Sequence, residues 1–126
     1  MNRKFKIGQK EYNFKITNKT VFELDEVYGN WARIYNGVMS GENAFNNALK
    51  IISLSCVDTT KEFNKETREY DQKRTVFTPE WLKMNLTPQQ VTFEIVNFAC
   101  GLIYDYMGVK EISEEEQKEE SNTKKK

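Results

Sequence analysis

Histidine does not occur in this 126-residue chain. That removes the commonest general base and metal ligand together. Only two cysteines are present, Cys56 and Cys100, too few for a disulfide framework or a metal centre. Both fall on apolar helical faces, where cysteine behaves as a small hydrophobe rather than an activated nucleophile. The six glycines are scattered as turn and cap residues and nowhere form a G-x-x-x-x-G-K phosphate loop. No excess of either charge exists, because 19 basic residues balance 19 acidic ones. This argues against a general electrostatic grip on nucleic acid or anionic lipid. No apolar run approaches the roughly 18 residues of a membrane span, and the N-terminal MNRKFKIGQKEY lacks the apolar core of a signal peptide. These features lead to the expectation of a non-catalytic protein of a reducing cytoplasm, with no metal and no cofactor.

Carboxylate pairs do occur, at Asp25/Glu26, Glu66/Glu69 and the run from Glu114 to Glu116. Each stands in a polar stretch that reads as a solvated face, with nothing to drive the two pKa values apart.

What the chain does have is aromatic residues, 13% of the total despite a mean hydropathy of −0.75. The apolar material is therefore concentrated in few segments. Length and composition suit one domain, residues 1–112, followed by a charged tail, 113–126, with no hydrophobic residue to repay its ordering.

Taken in order, Phe5 and Ile7, then Tyr12, Phe14 and Ile16, alternate with polar residues around Gly8-Gln9-Lys10. That is the period of a half-buried β-hairpin, and its apolar side must pack on helices. Thr20 to Glu23 has capping-box form and opens a short helix with Leu24, Val27 and Tyr28, stopped by Gly29. Asn30 caps a second helix with Trp31, Ile34 and Tyr35, stopped by Gly37. Ser40 caps a third, with Phe45, Leu49, Ile52 and Cys56 at helical spacing. The stretch from Asp58 to Arg74 is almost wholly charged or amide-bearing, with Phe63 and Tyr70 isolated, and is expected to be partly helical, supported by opposite-charge pairs. Thr78-Pro79 then opens a short helix carrying Trp81 and Leu82.

The best-specified element is Thr87 to Gly108. Thr87, Pro88 and Gln90 are an N-cap, a first-turn proline and a capping-box partner, and Gly108 is a left-handed stop. The spacing predicts one helix about 30 Å long. Val91, Ile95, Phe98, Leu102 and Tyr106 form one apolar face, flanked by Ala99 and Ile103. Phe93, Val96, Cys100, Tyr104 and Met107 form a second, leaving Gln90, Glu94, Asn97, Gly101 and Asp105 as the solvated stripe. A helix apolar on two sides asks to be covered on two sides. Either the domain covers both, or the second face is left for a partner. The fold expected is α+β, mostly α: an N-terminal hairpin packed on four or five helices, the last long and central. The candidate partner-binding residues are Trp81, Phe93, Val96, Cys100, Tyr104 and Met107.

The stretches Gly8-Gln9-Lys10-Glu11-Tyr12-Asn13-Phe14-Lys15-Ile16 and Phe22-Glu23-Leu24-Asp25-Glu26-Val27-Tyr28-Gly29 resemble the opening of the tail assembly chaperones of long-tailed bacteriophages and prophages of Gram-positive bacteria. That family begins with a G-K-x-Y hairpin and a short L-E-x-x-Y-G helix. The resemblance covers Phe5 to Gly41 best and the helices to Gly108 loosely, but neither the Asp58 to Arg74 stretch nor the tail. Asp25 stands beside the position where that family often has Glu, a mild departure. The resemblance implies a non-catalytic chaperone in the host bacterial cytoplasm, absent from the mature virion, which keeps the helical tape-measure protein soluble while tail-tube subunits polymerise around it. No catalytic residues come with it. The tape-measure protein and the tail-tube protein are the expected partners, and the same apolar face could serve a homo-oligomer. The rival readings are a structural virion component, such as a tail terminator or connector, and a small nucleic-acid-binding regulator.

Overall fold

The computed structural model describes residues 2–108; the boundary expected at residue 112 and the charged tail lie outside them. The architecture is α+β and mostly helical. Strands β1 (Arg3–Ile7) and β2 (Lys10–Phe14) pair antiparallel, with Ile7 opposite Lys10 across a two-residue loop. Gly8 takes φ +65° at the first loop position, the conformation that suits glycine in a type II′ hairpin turn. Phe5, Ile7, Phe14 and Ile16 are buried, as their alternation required, and seat the hairpin on the helices.

Helix α1 (Asn18–Tyr28) begins one turn earlier than Thr20 suggests. Thr17 is its N-cap, and Thr20 closes the capping box as the partner, its Oγ1 accepting from the Thr17 N–H at 3.1 Å. Helix α2 (Trp31–Ser40) is capped by Asn30, as expected, but runs through Gly37 and ends at Gly41. Gly37 is a contact residue instead of a stop: a Cβ there would lie 2.0 Å from Asn47 Nδ2 and 2.7 Å from the Glu42 carbonyl. Helix α3 (Ala44–Ser55) accordingly starts after Asn43, and Ser40 does not cap it. Nine of its 12 residues are buried, and it packs against α1, α2, and two later helices, α4 (Pro79–Asn85) and α6 (Ile95–Met107). It is the most enclosed element of the core.

The Asp58 to Arg74 stretch is not helical. It forms a second antiparallel hairpin, β3 (Thr59–Asn64) and β4 (Glu69–Arg74). Phe63 stands opposite Tyr70 with ring centroids 5.3 Å apart, a cross-strand aromatic pair of the kind that fixes register. The Asn64 side chain accepts from the Glu66 N–H at 2.9 Å, and Arg68 takes φ +60° to complete the turn. Opposite charges four residues apart suit a helix, but here they also suit a hairpin, as Lys73 and Glu62 form a cross-strand ion pair. Threonines and aromatics, which favour strands, decide the outcome.

The hairpin leaves and rejoins the core at one place. Thr75 N–H donates to the Asp58 carbonyl at 2.9 Å, and Phe77 N–H to Ser53 O at 3.0 Å. Thr78 and Pro79 then open α4, with Leu82 fully buried.

The helix expected from Thr87 to Gly108 is divided into α5 (Pro88–Phe93) and α6 at Glu94. Its caps are as predicted, including the Thr87–Gln90 capping box and the left-handed Gly108. At the division, the Asn97 side-chain amide donates to the Phe93 carbonyl at 3.3 Å. Main-chain bonds continue on either side of it, from the Glu94 N–H to Gln90 O at 2.9 Å and from the Phe98 N–H to Glu94 O at 2.8 Å.

Candidate functional site

The apolar surface of α6 grows from the same spacing that builds the core. Ile95, Ala99, Leu102 and Ile103 are buried against a cluster that includes α1, α2 and α3 residues. Phe98 joins the hairpin, its ring 4.5 Å from Phe5 and 5.4 Å from Phe14 between centroids. This is the first face of the helix, and it is core.

Of the second face, Val96, Cys100 and Tyr104 are half-buried, while Met107 and Phe93 are exposed. Val96 and Cys100 pack their inner sides on the core cluster. Phe93 keeps 69% of its surface in water and Met107 56%, values that leave most of each large side chain without apolar cover. Phe93 lies on α5, immediately before the division at Glu94, and the other four lie on α6. The structure thus strings five of the six residues expected from the sequence along one helical pair. It places the sixth elsewhere. Trp81 is on α4, stacked on Phe77 at 5.1 Å and 15°. Through Phe77 it reaches Tyr12 and Phe14, so Trp81 is the outer end of an aromatic ladder that locks α4 to the first hairpin.

The stripe expected to be solvated is partly roofed. Gly101 is buried beneath Arg3 of β1, and a Cβ there would stand 2.7 Å from the guanidinium. Arg3 Nε donates to Asp105 Oδ2 at 2.6 Å. Gln90 likewise turns towards the hairpin, its Nε2 donating to the Lys6 carbonyl at 2.6 Å. The polar side of α5–α6 therefore fastens the first hairpin, and among the described residues the apolar side of Phe93 and Met107 is left open.

Other exposed apolar side chains escape the sequence reading. Met84 is 86% and Phe22 75% exposed. Both sit beside core positions, Met84 between Leu82 and Leu86 and Phe22 two before Leu24, where helical spacing alone does not separate them from the core. Phe63 and Tyr70 on the second hairpin are also exposed.

A groove of about 1030 Å³ opens between α2, α3 and α4. Its walls are amide-rich, with Asn30, Asn36, Asn43, Asn46 and Asn47, and none of the six expected residues lines it. Among the described residues no three His, Cys, Asp or Glu side chains are grouped to hold a metal ion, and no helix is long and apolar enough to cross a membrane. No disulfide joins Cys56 to Cys100. Burial, ahead of every other influence, pushes the Cys56 thiol up from its ordinary value, which keeps it protonated and unreactive.

Compared with known proteins, the chain matches no family model, no curated protein and no solved structure.

Proposed function

We propose that this chain is a non-catalytic assembly chaperone that covers apolar helical seams of a long client, the tape-measure protein of a long-tailed phage or prophage, before the tail tube encloses it. The observation that carries the reading is the open face of α5–α6. Phe93 and Met107 are largely in water, with Val96, Cys100 and Tyr104 forming a half-buried floor between them. An amphipathic client helix buries its own stripe against such a face. Met107 adapts to varied packing, which suits a client presenting many non-identical seams. Each large side chain fully covered contributes about 1.5–3 kcal/mol before ordering costs. Sites that weak gain strength by repetition along one client. The resemblance of Gly8 to Ile16 and Phe22 to Gly29 to phage tail assembly chaperones supplies the client's identity, and the host cytoplasm follows as the place of action.

The test is co-expression with helical fragments of the largest coiled-coil protein encoded immediately downstream, followed by size exclusion with light scattering. A soluble complex, with the fragment insoluble on its own, supports the proposal. A fragment that aggregates while this chain elutes alone sinks it, and directs attention to the purified particle, where a structural component would be found.

A further inference from the structure

The second hairpin is the least supported part of the fold. Every residue of β3 and β4 is exposed except Asn64 and Arg74 at their ends. A two-stranded sheet with neither face packed is marginal in water. Among the described residues the sheet has no third strand, so each strand presents one open edge. Open edges are templates for pairing with another chain.

The charges along the two edges differ in what they permit. The bond from Thr75 N–H to the Asp58 carbonyl extends the β3–β4 register by one pair and fixes its phase. Main-chain groups of Asp71 and Lys73 point at β3, and those of Tyr70, Gln72 and Arg74 point outward. A second β4 strand can approach antiparallel about a two-fold axis at Gln72. That register sets Gln72 opposite Gln72, Asp71 opposite Lys73 twice, and Tyr70 opposite Arg74 twice. The outward groups coincide with the hydrogen-bonded pairs, while Asp71 and Lys73 fall in the closely spaced pairs between them. Sliding the axis to Asp71 or to Lys73 sets like charges face to face, as it does for β3 on an axis at Lys61 or Glu62. Like charges directly opposite destabilise a ladder. Of these registers the one at Gln72 alone is fully complementary.

From this geometry we propose that the chain self-associates through the open edge of β4, two copies forming a continuous four-stranded antiparallel sheet centred on Gln72. The occupant is a second copy because the charge pattern is its own complement under a two-fold axis. Arg74, held by Glu23 of α1, marks the base of each arm, and Tyr70 lies next to its tip. Base therefore meets tip, and the two domains sit at opposite ends of the shared sheet. This inference is independent of client binding, as it uses none of the α5–α6 residues.

The full chain is examined by sedimentation equilibrium across a concentration series, alongside three variants. Wild type reaches twice the 14.9 kDa chain mass. Asp71→Lys turns both opposite-charge pairs into like-charge pairs and weakens the dimer roughly tenfold or more. The swap Asp71→Lys with Lys73→Asp restores it, an outcome that misfolding of the single variant could not produce. Gln72→Pro deletes an N–H that points outward in the monomer, a position where a strand edge tolerates proline, and abolishes the dimer while circular dichroism stays unchanged. A wild-type chain that is monomeric at every concentration overturns the inference, as does a dimer indifferent to Asp71→Lys and Gln72→Pro.

Discussion

Asp58 holds Asn13 at two points: the Asn13 main-chain N–H donates to Oδ2 and its side-chain amide to Oδ1, each at 2.9 Å. Asn13 belongs to the first hairpin and Asp58 stands at the root of the second. Between them the Val57 N–H donates to Asn13 O, and Lys15 N–H to Ser55 O, each at 2.9 Å. Both hairpins are thereby pinned to the end of α3.

Those bonds favour the ionised carboxylate. The Asn13 side chain first, then its main-chain N–H, hold the Asp58 carboxyl below its ordinary value of 3.8, assisted by Lys10. A depressed folded-state pKa gives stability that is complete above the ordinary value and is lost as pH falls through the folded one. Asp58→Ala is expected to lower unfolding stability by about 1.5–3 kcal/mol at neutral pH. Urea titrations should show that difference shrinking below about pH 3.8. A difference that stays constant into acid would mean that the ionised form has no special role.

Gly37→Ala tests the close approach of α2 to α3. Alanine in mid-helix ordinarily gains about 1 kcal/mol over glycine. Here the new methyl meets the buried Asn47 amide and the Glu42 main chain, and neither can swing away as the end of an exposed side chain could. Overpacking of this kind costs about 1–3 kcal/mol. The expected result is net destabilisation in urea, and a stabilised variant would show that the two helices are not in contact there.

The two ends of the α5–α6 face should respond differently to charge. Phe93→Asp is expected to change stability by less than about 0.5 kcal/mol, as for exposed sites generally. Val96→Asp places a carboxylate at the half-buried edge of the core cluster and should lower the thermal midpoint clearly. Both should lose client binding in the co-expression assay. Collapse of the fold in Phe93→Asp would show that its ring is core.

Phe63→Ala removes one half of an exposed aromatic pair worth about 0.5–1.5 kcal/mol. Among the described residues the sheet is exposed apart from Asn64 and Arg74 at its ends, so the loss should stay local. Amide exchange should quicken across Thr59 to Arg74, while the α3 amides keep their protection. Acceleration in α3 as well would tie the hairpin to the cooperative core.

Patterns with one physical reading were legible in the sequence. Alternation around Gly8 has a single solution, and so do the caps Thr87-Pro88-Gln90 and Gly108. Where one pattern served two outcomes, tertiary contact decided. Gly37 reads as a stop by composition, yet its missing Cβ is used for helix contact. Thr20 reads as a cap and is the partner of one. The Asp58 to Arg74 stretch offered ion pairs to a helix and to a hairpin alike, and the pairing of Phe63 with Tyr70 appears only once the chain is folded back at Arg68. The division at Glu94 was not visible, because the caps and the apolar spacing run straight through it. As for the candidate residues, helical spacing set Val96, Cys100, Tyr104 and Met107 on one helix, but could not show that Phe93 falls on the helix before it or that Trp81, still 39% exposed, stacks on Phe77.

Because Asp58 and Thr75 share one hydrogen bond, everything between them is a detour that returns the chain to its starting point. Residues 59–73 have room to lengthen, shorten or change sequence without altering the path of α3 or α4, while Arg74 stays tied to Glu23 of α1. Selection can thus act on the arm and on the core separately, and a grafted loop at Lys65 to Arg68 would be carried some distance from the folded body that displays it.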